Sequence, residues 1–422
     1  MNITLNRPDF AGRVTAPTSK SAAHRVLIAA AFADRPSRIR VSGAGKDIAA
    51  TVRCLVGLGA KIDEIPAENG NAWLAVTPIQ EVRKSAVLDC GESGSTLRFM
   101  VPVAAALGTT VTFIRRGRLP ERPMEPLTSL LRAHGVTCTD NPDGSLTVTG
   151  KLQAGRYSIA ANVSSQFITG LLFALTLTEG CSELALTGKI ESAPYIRMTE
   201  NALAAFGAAP ACTADGRLYT LCQKPLISPG DLYPEGDFSG AAFPLAAGAI
   251  GQHAVTVEGL DLSSAQGDMA ILDLLEKFGA SVEKHPESGA VTVSPAPLHG
   301  IAIHAEQIPD LVPILAVIAA TAQGKTVISG AARLRLKESD RIATTAAMLR
   351  ALGVNVEESD DGLTVEGTSL TGGTVAGAND HRIVMSGAIA ALVANGDVTL
   401  TDAEAVDKSF PAFFKLLHPS PN

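Results

Sequence analysis

Leu55-Val56-Gly57-Leu58-Gly59-Ala60 reads as a helix end running into a strand, and the chain repeats this pattern five times. Leu-x-x-x-Gly-Ala/Val returns at Leu131–Val136, Leu203–Ala208, Leu275–Ala280 and Leu349–Val354. The glycines fall at 59, 135, 207, 279 and 353, in steps of 76, 72, 72 and 74. Glycine at such a place closes an amphipathic helix, because it accepts the left-handed backbone that a C-cap needs. Alternating strand residues follow, as in Val354-Asn355-Val356, then a turn at Asp360-Asp361-Gly362 and a second strand from Leu363. Five copies at near-constant spacing make an internal repeat, not five unrelated helix ends.

A second series runs out of phase with the first. Polar starts at Ser19–Ser21, Glu92–Ser95, Ser164–Gln166, Asp237–Ser239, Pro309-Asp310 and Asn379–His381 each open an apolar, Ala-rich helix, with first residues 73, 72, 73, 72 and 70 apart. Helices apolar nearly all round, such as Leu311–Thr321, belong in a core. The two series together predict an α/β protein of six units, each roughly β-α-β-α-β-β with one buried and one surface helix. The sixth runs to Phe410–Leu417 without its glycine. Grouped three and three, the units make two similar domains with an active-site cleft between them. The expected boundaries are 14–228 for one domain and 1–13 plus 229–422 for the other, with the crossover in the proline-bearing stretch Tyr219–Glu235.

Composition narrows the function. Of 422 residues, 46% are hydrophobic and 18% charged, so the chain is globular rather than disordered. A net charge of −7, one Trp and four Tyr argue against a general grip on nucleic acid. An anionic ligand must instead be held by local clusters of Lys and Arg. The six cysteines include no C-x-x-C pair and make no disulfide framework, so reduced cytoplasmic thiols are expected. No zinc-spaced His/Cys cluster is present in the sequence, and neither a metal nor another cofactor is expected. The apolar stretch Val26–Ala33 starts 25 residues in and reads poorly as a signal peptide, and the longest uncharged run, Tyr157–Thr178, is too polar for a membrane span. A cytoplasmic monomer without membrane contact is the expectation.

The chemistry-bearing residues gather at the polar starts of the buried helices or just before the surface helices. Helix N-termini present free N–H groups and partial positive charge, each worth ~0.3–1 kcal/mol to an anion. Thr18-Ser19-Lys20-Ser21-x-x-His24-Arg25 puts two cations within two turns of a helix start, where they oppose the dipole unless an anion is bound. Lys337-Glu338-Ser339-Asp340-Arg341 is read as opening another helix with cations at i and i+4, a spacing that calls for something anionic between them. Arg382 is the one charge on an apolar helix after Asn379-Asp380-His381. Lys408 sits in Asp407-Lys408-Ser409-Phe410-Pro411. Arg115–Pro123 is a basic loop in which Arg115 and Arg116 read as solvated. Asp310, ahead of Leu311-Val312-Pro313, fits an N-cap as well as a general base.

Taken together, Thr18-Ser19-Lys20-Ser21, Gly91-Glu92-Ser93-Gly94-Ser95-Thr96-Leu97-Arg98, Glu121-Arg122-Pro123, Ser164-Ser165-Gln166-Phe167, Ile308-Pro309-Asp310, Lys337–Arg341, Asn379–Arg382 and Asp407–Pro411 resemble the EPSP synthase family of carboxyvinyltransferases, in order along essentially the whole chain. The resemblance implies two domains of three units joined by two crossover strands, with the first strand paired to the C-terminal domain, and closure of the two domains on the ligand. It implies transfer of the enolpyruvyl group of phosphoenolpyruvate to the 5-hydroxyl of shikimate 3-phosphate, with release of phosphate. It assigns shikimate 3-phosphate to Lys20, Ser21, Arg25, Ser164, Ser165, Gln166, Ser192, Tyr195, Asp310 and Lys337. It assigns phosphoenolpyruvate to Lys20, Gly94, Arg122, Gln166, Arg341, Arg382 and Lys408. Asp310 is the expected base for the hydroxyl, with Glu338 and Lys20 as further proton-transfer groups. Glu92 stands where many members carry Asn, and Arg333 where some do, and neither is given a role.

Charge supports the same reading. Two phosphates and two carboxylates carry roughly −5 to −6. Lys20, Arg25, Arg122, Lys337, Arg341, Arg382 and Lys408 supply a near match. Two alternatives compete. The sister carboxyvinyltransferase acting on UDP-N-acetylglucosamine typically carries a reactive Cys in the loop occupied here by Arg115–Pro123, which has none. A non-catalytic anion-binding protein would not need Asp310 and Glu338 beside the cations.

Overall fold

The hexapeptide pattern that marks the repeat closes in the same way in all five places. In the computed structural model, which describes residues 1–10, 12–67 and 71–417, each of the five glycines has positive φ, between +75° and +121°. The N–H of the following Ala or Val returns to the carbonyl of the leucine that opens the pattern: Ala60 to Leu55, Val136 to Leu131, Ala208 to Leu203, Ala280 to Leu275 and Val354 to Leu349, at 2.9–3.1 Å. This six-to-one bond satisfies a carbonyl that the ending helix leaves open, and it accounts for the Leu–Gly spacing.

The helices run in chain order as α1 Lys20–Ala31, α2 Lys46–Leu58, α3 Gly94–Leu107, α4 Leu127–Ala133, α5 Ser165–Leu177, α6 Ala193–Ala205, α7 Phe238–Ile250, α8 Ile271–Phe278, α9 Val312–Thr321, α10 Arg341–Ala351 and α11 His381–Ala390. The odd-numbered members are the buried, Ala-rich series. The even-numbered members are the surface series, apolar on one face. Where the sixth surface helix is due, the chain makes two short 3₁₀ turns, Ala403–Lys408 and Phe413–Leu416.

Among the described residues six small sheets accompany the helices; five have four strands in one shared topology, and the last has three. In the second unit, Ser85–Asp89 lies parallel to Thr110–Ile114, which pairs antiparallel with Leu146–Thr149, which in turn pairs with Thr137–Asp140. Helix α3 provides the crossover between the two parallel strands, and a hairpin closes the unit. Three sheets borrow a strand from far away. Asp231–Leu232 lies parallel to Ser37–Ser42, and Gly12–Thr15 lies parallel to Val255–Glu258. The last sheet takes Ile3–Leu5 antiparallel to Asn395–Leu400, as the resemblance implies.

The fold divides into two compact units, Met1–Ser19 with Glu235–Asn422, and Lys20–Pro234. Each has its own apolar core, built from its three buried helices and the inner faces of its three sheets. Both crossings fall six residues later than the expected 13/14 and 228/229. The first is held back because Gly12–Thr15 is still pairing with Val255–Glu258, and Thr18 then bridges to Gly236. The second is held back because Asp231–Leu232 is still pairing with Ser37–Ser42.

The cysteines depart from expectation. Cys181 and Cys222 form a disulfide. They stand directly opposite one another at the end of the antiparallel pair Cys181–Thr187 and Leu218–Cys222. Their separation of 41 residues carries no local signal; strand register alone brings them together. Cys54, Cys90, Cys138 and Cys212 are free thiols.

Candidate active site

In the unit Lys20–Pro234 the marked residues lie at helix starts, as their spacing predicts. Lys20 is the first residue of α1, and its Nζ donates to Asp47 Oδ2 at 3.0 Å. Asp47 lies in the first turn of α2, favourably placed by the helix dipole, and sequence reasoning missed it because one acid in a first turn is ordinary. Arg25 is buried. Its Nε donates to Thr199 Oγ1 at 2.8 Å, Nη1 to the Ser21 carbonyl at 2.7 Å, and Nη2 to Thr169 Oγ1 at 3.1 Å and the Tyr195 carbonyl at 2.8 Å. The guanidinium also lies over the Phe99 ring, 5.2 Å from its centroid. Burial draws its pKa down to about 10, with Tyr195 opposing. Three of these bonds pin α1 to α5 and α6, and the fourth, to Ser21, stays within α1. Beside it, burial, Lys20 and Arg25 hold the His24 imidazole well below its usual pKa, hence neutral.

Ser164 caps α5, accepting from Gln166 N at 3.3 Å. The Gln166 side chain is oriented at both ends, its Oε1 accepting from Arg98 at 2.8 Å and its Nε2 donating to Ser95 Oγ at 2.9 Å. Arg98 also reaches the Pro123 carbonyl at 2.9 Å. Ser192, buried at the start of α6, has φ of +55°, a left-handed conformation costing roughly 1–2 kcal/mol in a residue with a Cβ. Such strain clusters at sites that need a side chain aimed in one direction.

Gly94 opens α3, and the Arg122 guanidinium lies against it. A Cβ on Gly94 would stand 2.6 Å from Arg122 Nη1, so no larger residue fits without moving the arginine. A buried cation on the positive end of a helix is a cradle for an anion. Glu92 turns instead to the loop after β-strand Thr110–Ile114, where its Cδ is 2.8 Å from the position a Cβ would take on Gly117. Arg115, expected to be solvated, is buried: it donates to the Gly144 carbonyl at 2.6 Å and to Asp140 at 2.7 Å. The hairpin folded back over it supplies these acceptors from about 25 residues away, beyond any local pattern. Arg116 is exposed and pairs with Asp89 at 3.0 Å.

In the other unit, Asp310 gathers the cations. Its Oδ1 accepts from Arg341 Nη1 at 2.8 Å and from Lys337 Nζ at 3.4 Å, and its Oδ2 from Arg382 Nη2 at 2.9 Å. Asp310 lies in the 3₁₀ turn Pro309–Leu311 and its side chain caps no helix. Nor does Lys337 open a helix. α10 begins at Arg341, capped by Asp340 accepting from Ala343 N, and Lys337 follows the turn Ala332–Leu336. The anion between the two cations is the Asp310 carboxylate itself.

Arg341 is also bound to Glu338 Oε2 at 2.6 Å and to Asp380 Oδ2 at 2.7 Å. Asp380, fully buried, accepts from Ser339 Oγ at 2.9 Å and caps α11 through Arg382 N at 3.0 Å. It therefore orients both arginines, a role its position in the sequence did not reveal. Lys408 donates to the Asn379 carbonyl at 2.6 Å, and Ala378 and Asn379 both have positive φ, 51° and 50°. Burial pushes the Asp310 carboxyl up, but Arg382, Lys337 and Arg341 outweigh it and hold the group well below the usual carboxylate range. Burial likewise opposes the charge on Arg341, and Asp380, Glu338 and Asp310 overcome it, raising its pKa.

Each unit thus carries cations at its buried-helix starts, with carboxylates beside them. Residues 6–417 match the family EPSP synthase (3-phosphoshikimate 1-carboxyvinyltransferase). The chain belongs to the EPSP synthase family. Curated relatives named 3-phosphoshikimate 1-carboxyvinyltransferase include that of Clostridium novyi, 37% identical over 98% of this chain and 96% of the relative. That of Halobacterium salinarum is 39% identical over 99% and 98%. Among solved structures, EPSP synthase from Acinetobacter baumannii superposes with a TM-score of 0.78 at 27% identity, covering 98% of this chain and 97% of that one. The enolpyruvyl transferase NikO from Streptomyces tendae shares the fold with a TM-score of 0.78 at 19% identity, covering 99% and 96%.

Proposed function

We propose that the chain performs its family's reaction, moving the enolpyruvyl group of phosphoenolpyruvate onto the 5-hydroxyl of shikimate 3-phosphate and releasing phosphate, a step of the shikimate pathway. The observation that carries the chemistry is Asp310, one carboxylate bonded to Lys337, Arg341 and Arg382. Three cations on a carboxylate make it a poor base in the free protein. Ligand oxygens that engage the same cations relieve it of part of that charge, so its proton affinity rises when the ligands are in place. Asp310 then takes the proton of the attacking hydroxyl, while Glu338 and Lys20 are the groups for proton delivery to the enolpyruvyl methylene.

Lys20, Ser21, Ser164, Ser165, Gln166, Ser192, Tyr195, Asp310 and Lys337 hold shikimate 3-phosphate in this reading. Arg25 contributes its remaining N–H and fixes the helix start from which Lys20 and Ser21 project. Lys20, Gly94, Arg122, Gln166, Arg341, Arg382 and Lys408 hold phosphoenolpyruvate. The strain at Ser192 and at Asn379, and the fit of Arg122 over Gly94, support these placements. No described helix is long and apolar enough to cross a membrane, and a cytoplasmic monomer is part of the proposal. Sedimentation at a single-chain mass tests the latter.

Phosphate release decides the acceptor. Phosphoenolpyruvate with shikimate 3-phosphate should release phosphate, and phosphoenolpyruvate with UDP-N-acetylglucosamine should not. The reverse outcome removes the assignment, and no release with either favours a binding protein.

Glu92 gives a second test. A carboxylate facing phosphoenolpyruvate unpaired at ~4 Å would cost about 4 kcal/mol at an effective dielectric of ~20. Its place against Gly117 supports a carboxylate turned from the ligand. Glu92→Asn should therefore bind phosphoenolpyruvate no more than a few-fold tighter at neutral pH. A hundred-fold gain, about 2.7 kcal/mol, would put the carboxylate on the ligand.

A further inference from the structure

Asp268 is a buried carboxylate, 2% exposed, in the single 3₁₀ turn Gly267–Ala270 that leads into α8. Its Oδ2 accepts from Ser239 Oγ. Ser239 lies in the first turn of α7, where its own N–H donates to the capping Asp237 at 3.0 Å. The bond therefore holds the Asp268 side chain at the start of α7. That helix packs against the turn Pro309–Leu311 and against α11, which carry Asp310 and Arg382, themselves joined at 2.9 Å.

We propose that Asp268 is a positioning residue for this site, a buried carboxylate that competes with the bound anion for Arg382. The inference rests on the reading above that Arg382 holds phosphoenolpyruvate. α7 carries no charged residue, and its cap Asp237 repels Asp268. The Pro309–Leu311 turn contributes the repulsion of Asp310. α11 contributes the attraction of Arg382, next to His381 and to Asp380, which is bonded to Arg341 and Ser339. Asp273, Glu276 and Lys277 of α8 are exposed. Burial first, and then Asp310, push the Asp268 carboxyl up to about 6, against the pull of Arg382 and Ser239.

The consequence has a definite sign. Below pH 6 Asp268 is neutral, and Arg382 divides its charge between Asp310 and the ligand. Above pH 6 Asp268 is charged and takes a share, so the ligand is held less tightly. The coupling is reciprocal, so a bound anion also raises the proton affinity of Asp268.

The test is the KM for phosphoenolpyruvate from pH 5 to pH 8 in the wild-type enzyme and in Asp268→Asn, which keeps the shape and stays neutral. The ratio of the two KM values cancels the ligand's own ionisation. It should lie near one at pH 5 and reach about fivefold or more by pH 8, with the kcat ratio flat. Ser239→Ala removes a bond that favours the charged form, so its KM should fall below the wild-type value between pH 6 and pH 7 and agree with it at either end. That variant keeps the proposal falsifiable if Asp268→Asn folds poorly. A ratio independent of pH, or no difference for Ser239→Ala around pH 6, overturns the inference. Arg382→Ala separates the two levels: a raised KM with a flat Asp268 ratio removes only this inference, and an unchanged KM removes the ligand assignment of Arg382.

Discussion

Replacing Asp310 by asparagine is expected to lower turnover by ~10²–10⁴, the usual range for one acid–base group. Asparagine keeps the side-chain shape and can still accept from two of the three donors now on the carboxylate, so the fold should survive. What it cannot do is take the hydroxyl proton. Ligand-free stability gives an independent check of the same residue. The folded-state pKa of Asp310 lies below its unfolded value, so its contribution is present above the unfolded value of ~4 and is lost as pH falls. In Asp310→Asn that part of the acid limb should disappear from melting curves taken between pH 5 and pH 2. A folded Asp310→Asn enzyme with near-normal turnover would move the base to Glu338 or Lys20.

Arg341→Met is expected to destabilise the protein by about 3–5 kcal/mol, the cost of removing one partner from a buried ion pair. Arg341 is 1% exposed and Asp380 is fully buried, while Glu338 and Asp310 are mostly covered. Methionine fills much of the volume but leaves three carboxylates with one cation fewer, and Asp380 loses its charged partner outright. Urea unfolding measures the loss. Adding Asp380→Asn to Arg341→Met should recover part of it, because the orphaned charge is then absent and the two substitutions are coupled. A loss under about 1 kcal/mol, the worth of an exposed pair, would mean that the cluster is hydrated rather than buried.

Much of the architecture is legible in the sequence. The Leu-x-x-x-Gly-Ala/Val pattern is set by a bond that closes within six residues, and the helix starts at Ser93-Gly94, Ser164-Ser165 and Asp237-Phe238 are set by caps reaching two or three residues ahead. Such signals are local, so they survive as periodicity in the chain. The helix expected from Lys337 shows the limit. Lys337 and Arg341 are four residues apart, but the stretch between them is irregular, and the helix starts only at Arg341, capped by Asp340.

The sequence by itself determined the repeat, the alternation of buried and surface helices, and which residue types stand at the helix starts, because each of these rests on interactions within one turn or one hairpin. Its motifs also pointed to the family. Only the tertiary structure decided which charges meet. Asp310 finds Lys337, Arg341 and Arg382 across 27, 31 and 72 residues, and Lys20 finds Asp47 across 27. It also decided that Arg25 and Arg115 are buried and that Cys181 faces Cys222. These pairings depend on strand register and on how one helix start is brought beside another. Those are properties of the packed chain that no spacing along it records.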